Sequence, residues 1–294
     1  MTKGWENLDG NGHYWSGQPG QMPPGYGPSP TDPLVSVDFS GWFGRGTALV
    51  RQVWKPALLL HAAVAVPIFA LSVPAQSNLM REQEAVMETQ RLLPDRTPPL
   101  GDLMLAVGLV FAVALAVCVL YLVATSATVQ LTVQAATGRP ISLGAAVRTG
   151  LRRAPALLGW ALLSVPIALV AALLCVLPIF YVIAVLAVLP VVVTVERGEG
   201  IARCFQLFHT DLGVSVSRIA TVYGITIGAG LSLGVLSIAI SALTGPTVGA
   251  IVDAVLNALV TVAFGVAGTV FLVTAYADMR ARREPFSTAH LTNV

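Results

Sequence analysis

The sequence is poor in charge: Asp, Glu, Lys and Arg make up only 11% of its 294 residues. Soluble globular domains usually carry roughly a quarter. Hydrophobic residues make up 55% of the chain, and the mean hydropathy is +0.76. This composition excludes an ordinary soluble domain and predicts an integral membrane protein.

The sequence also lacks the alternating segments of about 10 residues that mark a membrane β-barrel. It has instead charge-free apolar runs long enough for a helix to cross about 30 Å of hydrocarbon. Because lipid cannot satisfy free backbone N–H and C=O groups, we expect these runs to be helical.

Residues that bind metals or cofactors are scarce. The three cysteines are Cys118, Cys175 and Cys204, without C-x-x-C spacing or clustered histidines, so we predict no metal site and no disulfide framework. A Gly-rich phosphate loop is absent as well, and we expect no cofactor. The basic residues follow a membrane boundary, which favours phospholipid over nucleic acid as a partner.

Hydropathy predicts an all-α polytopic membrane protein with about six transmembrane helices. The charge-free stretch 155–195 is long enough for two spans, with a turn near residues 174–178. The predicted crossings are residues 56–74, 103–130, 155–174, 177–195, 219–243 and 251–277.

The predicted helical membrane domain covers residues 38–286, with a tail at each end. Residues 1–37 are rich in Pro and Gly and poor in aliphatic side chains, so we expect a disordered tail. Its Trp and Tyr residues leave open an alternative role in binding a cytoplasmic protein partner. Residues 287–294 form the C-terminal tail, and no apolar run precedes residue 56, so we expect no cleavable signal peptide.

The distribution of basic residues predicts the orientation. The chain has 17 Lys and Arg, and all but Arg81, Arg91 and Arg96 fall on one side of the six predicted spans. Positively charged loops are retained in the cytoplasm. We therefore expect a multi-pass protein of the cell (plasma) membrane with both termini cytoplasmic.

A phrase recurs in the sequence: PALLLHAAVAVPI begins at Pro56 and PALLGWALLSVPI at Pro155. A short basic amphipathic segment precedes each copy, and GIARCFQLFHTDL precedes the fifth crossing in the same way. This pattern predicts interfacial helices and a three-fold internal repeat. The alternative is that the two phrases match by chance, because such residues are common in membrane helices. The candidate interfacial basic residues are Arg45, Arg51, Arg148, Arg152 and Arg153.

Two stretches are more specific: PVVVTVERGEGIARCFQLFHTDLG from Pro190 and AYADMRARREPF from Ala275. They resemble the glycerophosphoryl diester phosphodiesterase membrane-domain family over most of residues 38–286, although Cys204 stands where that family usually has Ser. The matching positions are Pro190, Glu196, Arg203, Tyr276, Asp278, Arg280 and Arg282.

This resemblance implies a helical membrane domain without a settled activity of its own. In some members the domain precedes a soluble phosphodiesterase, but here only eleven residues follow Arg283, too few for a barrel enzyme of about 250 residues. The stand-alone members are therefore the closer parallel.

The residues grouped by the resemblance all fall at the predicted cytoplasmic boundary. Unpaired ions near hydrocarbon are costly. We predict that Glu196 or Asp278 pairs with Arg203 or Arg280 and fastens the third surface helix to the last crossing. The remaining arginines, Arg282 among them, would then bind anionic lipid, and the alternative is that each is a solvated boundary charge.

Catalysis by the membrane domain is disfavoured. Ser232 lies in a G-x-S-x-G sequence, but that motif requires a strand-to-helix turn and a nearby base. Its glycines, together with Gly224 and Gly228, are typical of close helix packing. His61 lies within the first crossing, where we expect a neutral histidine bonded inside the bundle, the alternatives being a headgroup ligand or a proton relay.

We therefore expect a non-enzymatic membrane protein that binds or organises phospholipid. The alternatives are a small transporter or exporter of an apolar solute, and an intramembrane hydrolase at Ser232. A polar, convergent cavity would favour transport, and basic grooves at the cytoplasmic rim would favour lipid binding.

Overall fold

The computed structural model describes residues 32–93, 100–174, 176–244 and 246–292, and within these ranges it contains helices and no strand. Six helical segments are long and apolar enough to cross a membrane. The predicted all-α, polytopic architecture is therefore confirmed. The cysteine at 175 and most of the predicted N-terminal tail, residues 1–31, lie outside the described residues.

Each predicted crossing lies within a helical segment of the structure. The elements are α1 (Phe39–Leu92), α2 (Leu100–Ala136), α3 (Leu143–Leu174), α4 (Val176–Leu186), α5 (Leu189–Val195), α6 (Ile201–Thr210), α7 (Leu212–Thr244), α8 (Pro246–Ala263), a π-helical turn (Phe264–Gly268), α9 (Thr269–Arg283) and a 3₁₀ turn (Thr288–Leu291). The fourth crossing combines α4 with α5, and the sixth runs from α8 through the π-helical turn into α9.

Helix α1 is much longer than its predicted crossing. It begins after Asp38, whose side chain accepts a hydrogen bond from the Gly41 amide at 2.8 Å, and it continues through three prolines for 54 residues. At 1.5 Å per residue its length is about 81 Å. The first predicted surface segment, the first predicted crossing and the residues that follow it are thus parts of one helix.

Helix α3 likewise joins the second predicted surface segment to the third crossing without a break. Only the third surface segment forms a separate helix, α6, which is strongly amphipathic and buries Ile201, Cys204, Leu207 and Phe208. Of the three predicted interfacial helices, α6 is therefore the one that lies against the bundle as an independent element.

The second half of α2 lies at the centre of the bundle. Residues 123–134 are all buried, although several are Thr, Ser or Gln. Thr128 and Thr132 hydrogen-bond to backbone carbonyls one turn earlier, at 2.9 and 2.8 Å. Gly150 of α3 packs so closely on this segment that a Cβ there would lie 2.7 Å from the Val123 carbonyl oxygen.

The glycines of the fifth crossing do not serve the packing role that their spacing suggests within this chain. An added Cβ at Gly224, Gly228, Gly230 or Gly234 would meet nothing within 4 Å. The close helix approaches occur elsewhere. At Gly265 in the π-helical turn, an added Cβ would lie 2.4 Å from the His61 ring, so only glycine leaves room for that imidazole between α1 and the last crossing.

The segment before α1 packs against the other end of the chain. Residues 32–37, which the sequence placed in the disordered tail, include the buried Leu34 and Val35. Leu291, in the predicted C-terminal tail, is also buried. Arg139 of the α2–α3 connection reaches the Leu291 and Thr292 carbonyls at 3.4 Å. The α2–α3 connection and both ends of the described chain thus lie at the same end of the bundle. We call this region the clasp end.

Candidate functional site

An ionic cluster at the clasp end joins the α5–α6 turn to α9 and the residue that follows it. The Arg203 guanidinium donates to Glu196 at 2.8 Å and to Glu284 at 2.8 Å. Arg280 pairs with Glu284 and lies 3.6 Å from Glu196. Tyr276 donates its hydroxyl hydrogen to Glu196 at 2.5 Å and accepts from Arg280 at 2.8 Å. The two carboxylates and two guanidiniums therefore satisfy one another around one tyrosine.

A second ion pair is buried more deeply. Arg218 of α7 donates to Asp278 of α9 at 2.7 Å, and their side chains are 3% and 0% exposed. Asp278 also accepts from the Ser36 amide at 2.6 Å and from its hydroxyl at 2.8 Å. The Arg218 guanidinium lies over the Trp42 ring, 5.7 Å from the ring centre. This pair therefore connects α7, α9 and the start of α1.

Two further contacts complete the clasp end. Asp32 accepts hydrogen bonds from the Thr288 amide at 2.9 Å and from its hydroxyl at 2.6 Å. Arg282 donates to Asp211 at 3.0 Å, in a pair about one third exposed. The clasp, as we use the term below, comprises the ionic cluster, the Arg218–Asp278 pair and these two contacts.

The predicted pairing holds in one half and changes in the other. Glu196 pairs with Arg203 and lies near Arg280, and this contact ties α6 to the last crossing. Asp278, in contrast, pairs with Arg218 rather than with either predicted arginine, and Arg282 has an acidic partner instead of being left for lipid. No sequence pattern distinguishes Arg218 from the other basic residues on the same side of the predicted spans.

Burial and charge set the pKa of groups on α6, which lies outside the spans. Burial alone would lower the pKa of Arg203, but the carboxylates of Glu196 and Glu284 outweigh it and raise that pKa. Burial, helped by the Glu196 charge, raises the pKa of Cys204 to about 12. The Cys204 thiol is therefore protonated at neutral pH and serves packing rather than nucleophilic chemistry.

The arginines of α3 differ from those of the clasp. Arg148 and Arg152 are exposed and lie one turn apart on one helix face, and Arg153 is half-buried. None of the three makes an ion pair or hydrogen bond within the described residues. Arg153 lies close enough to Arg197 for the two positive charges to repel.

Packing brings Arg197 to the side of α3 that carries Arg153. The turn after α5 contains Gly198 at φ +84°, a backbone conformation that glycine adopts without strain. An added Cβ at Gly200 would lie 2.2 Å from the Trp160 ring of α3. Trp160 therefore holds the turn against α3, two helical turns from Arg153. We call Arg148, Arg152, Arg153 and Arg197, which lie on two adjacent sides of the first turns of α3, the arginine face.

The basic residues of α1 occupy a separate surface. Arg51 and Lys55 are exposed, and the Lys55 ammonium lies 5.7 Å from the centre of the neighbouring Trp54 ring. Arg45 is half-buried and donates a hydrogen bond to the Val35 carbonyl. Arg51 therefore remains available at the surface, whereas Arg45 holds the segment that precedes the helix.

The other candidate residues, Ser232 and His61, make hydrogen bonds within the protein. Ser232 is exposed in the middle of α7, and its hydroxyl donates to the Gly228 carbonyl at 2.8 Å. His61 is buried, with Nε2 3.1 Å from the Thr128 hydroxyl, which agrees with a histidine bonded inside the bundle. In the described part of the chain, no group of three or more His, Cys, Asp or Glu could hold a metal.

Comparisons of the chain with family models, curated proteins and solved structures find no match.

Proposed function

We propose that this protein is a non-catalytic, multi-pass protein of the cell membrane that binds anionic phospholipid through the arginine face. In this proposal the clasp end and both termini face the cytoplasm, and the protein is a relative of the glycerophosphoryl diester phosphodiesterase membrane-domain family.

The observation that carries the proposal is the contrast between two groups of arginines at one end of the bundle. The clasp arginines have acidic partners within the chain. Arg148, Arg152 and Arg153 make no such pair in the described ranges, and two of them are exposed. Cations that lie at a membrane boundary without an internal partner attract anionic headgroups, at about 1 kcal/mol for each residue near the surface.

Lipid titration of the purified protein tests this proposal. Native mass spectrometry would compare dioleoylphosphatidylglycerol with dioleoylphosphatidylcholine, for the wild type and for Arg148→Gln/Arg152→Gln. Two lost contacts of about 1 kcal/mol each lower the phosphatidylglycerol affinity about 30-fold, and phosphatidylcholine binding stays unchanged. The matched control is Arg81→Gln/Arg91→Gln, which removes two exposed charges at the opposite end of the bundle. Equal phosphatidylglycerol affinities of both double variants would refute the proposal.

The orientation has its own test. In a cysteine-free background, Glu88→Cys lies on the exposed surface near the end of α1, and Thr292→Cys lies at the clasp end. An impermeant maleimide added to intact cells should label Glu88→Cys and spare Thr292→Cys. The opposite labelling pattern would mean that the chain is inserted the other way round.

A further inference from the structure

A cavity of about 320 Å³ lies between α1, α2 and α8, away from the clasp. His61 lines it at one end and Gln76 at the other, which are about 22 Å apart along α1 at 1.5 Å per residue. Most of its wall is apolar, including Val64, Ile68 and Phe69. Phe69 is 43% exposed, so the cavity opens toward the surrounding lipid.

A second cavity, of about 420 Å³, lies between α1 and α2. Its wall is apolar along α2, from Val110 to Cys118. Ser72, Gln76 and Tyr121 line both cavities. Two largely apolar compartments therefore meet at one small group of polar side chains.

The polar groups at this junction are uncharged and have hydrogen-bonding capacity to spare. Among the described residues, no Asp, Glu, Lys or Arg lines either cavity. The side chains of Ser72 and Gln76 make no hydrogen bond to any described residue. Asn257, on the wall of the first cavity, donates its amide hydrogen to the Asp253 carbonyl at 3.0 Å, which leaves its side-chain oxygen as an acceptor. An ion bound here would have no counter-charge, at a high cost within a membrane.

We propose that these two compartments bind an uncharged two-chain lipid of the diacylglycerol class. Its hydroxyl and ester oxygens hydrogen-bond to Ser72, Gln76 and Tyr121, and one acyl chain enters each compartment. The buried His61 forms the floor of the first compartment. This site shares no residue with the arginine face, and it selects against the headgroup charge that the arginine face selects for.

Competition between two lipids with identical acyl chains tests the proposal. The protein is incubated with dioleoylglycerol and excess dioleoylphosphatidylglycerol, and the retained adducts are identified by native mass spectrometry. The wild type should retain dioleoylglycerol despite the excess of the charged lipid. Displacement of dioleoylglycerol by phosphatidylglycerol would overturn the proposal, because the site would then accept a charged head.

Cavity-filling variants test whether dioleoylglycerol binds in the first cavity. Ala65 lines the first cavity, whereas Ala63 is exposed on the same helix and lines neither cavity. Ala65→Phe should lose the dioleoylglycerol adduct, and Ala63→Phe should retain it. Equal retention by these two variants would overturn the proposal.

A polar variant covers the case in which Ala65→Phe does not fold. Ser72→Ala/Gln76→Leu changes one half-buried and one exposed side chain, neither of which hydrogen-bonds to a described residue. Its melting temperature should therefore match the wild type while dioleoylglycerol retention falls. Unchanged retention would count against the assigned junction. Arg148→Gln/Arg152→Gln should retain dioleoylglycerol, so that failure of this site and failure of the arginine face are distinguishable.

Discussion

The clasp and the arginine face use the same side chain in opposite ways. Arg203 and Arg218 are buried, and each is bonded to a carboxylate of the chain at 2.8 Å or less. Arg148 and Arg152 are exposed and have no such partner among the described residues. The burial of a guanidinium and its pairing thus occur together here, because desolvation of a charge is tolerated only when an opposite charge compensates it.

The clasp arginines should therefore affect the stability of the fold, and the exposed arginines should affect lipid binding. Removal of one partner from a buried pair leaves an uncompensated ion in the protein, so the folded state becomes less stable. An exposed arginine loses no internal partner when it is replaced, so the folded state changes little. The following predictions test whether this division between the two regions holds.

The largest expected effect is at the most deeply buried pair. Arg218→Met leaves the Asp278 carboxylate enclosed without its cation, and we expect the free energy of unfolding to fall by about 3–5 kcal/mol. Denaturant titration in detergent micelles measures it. Arg282→Met, which breaks a pair that is about one third exposed, is the matched control and should cost at most about 1 kcal/mol. Equal losses would remove the link between burial and stability.

The ionic cluster should show an intermediate effect. Arg203→Met removes charged hydrogen bonds to Glu196 and Glu284, which contribute about 1.5–3 kcal/mol. Arg197→Met, six residues earlier, removes an exposed arginine that makes no ion pair with a described residue, and this variant should unfold like the wild type. If both variants melted at the wild-type temperature, Arg203 would be no more than a solvated boundary charge.

Salt should weaken lipid binding by the arginine face and leave the stability of the clasp nearly unchanged. The Debye length falls from about 10 Å at 0.1 M salt to about 3 Å at 1 M, so attraction between the exposed arginine face and anionic headgroups weakens. We expect phosphatidylglycerol affinity to fall about tenfold over that range, whereas the melting temperature, which depends on buried pairs, changes little. A melting temperature that fell steeply while lipid affinity stayed constant would reverse the assignment of the two regions.

The smallest effect concerns Asp32, where the two described chain ends meet. Burial alone would raise its pKa, but hydrogen bonds from Thr288, Val35 and Leu34 outweigh burial and hold the pKa below the ordinary value of 3.8. A depressed carboxyl pKa stabilises the folded state above the ordinary pKa, and this contribution is lost as the pH falls through the folded value.

Hydrogen exchange checks this prediction at individual amides. The amides of Leu34, Val35 and Thr288 donate to Asp32, and their protection should decrease as the pH falls below about 4. In Asp32→Asn, which cannot titrate, the pH-dependent part of that protection should disappear. Persistence of the same pH dependence in the Asn variant would assign it to another group.

The sequence predicted the crossings well because hydrocarbon imposes a length and a composition on each one. It does not reveal the continuity of α1 and α3, because a basic amphipathic segment followed by a proline is also typical of a boundary between two helices. In the structure Pro56 and Pro155 lie inside their helices. Membrane helices tolerate proline where neighbouring groups satisfy the freed carbonyls, and a local pattern does not reveal those neighbours.

Only ion pairs between residues close in the sequence could be predicted. Glu196 and Arg203 are seven residues apart, on either side of a glycine-containing turn, and both belong to the motif that the resemblance grouped. Arg218 and Asp278 are 60 residues apart, and Asp32 and Thr288 are 256 apart. No periodicity connects such positions, so the partners depend on how the helices pack.

The contact between Asp32 and Thr288 also has a mechanical consequence. It closes the described chain into a ring, because all six crossings lie between the two residues. A tensile load applied across residues 32 and 292 would therefore reach the hydrogen bonds to Asp32 before it reached a membrane helix. Its rupture force in a single-molecule pulling experiment should be low and sensitive to Asp32→Asn, whereas the later force peaks, which report the extraction of the crossings, should stay the same.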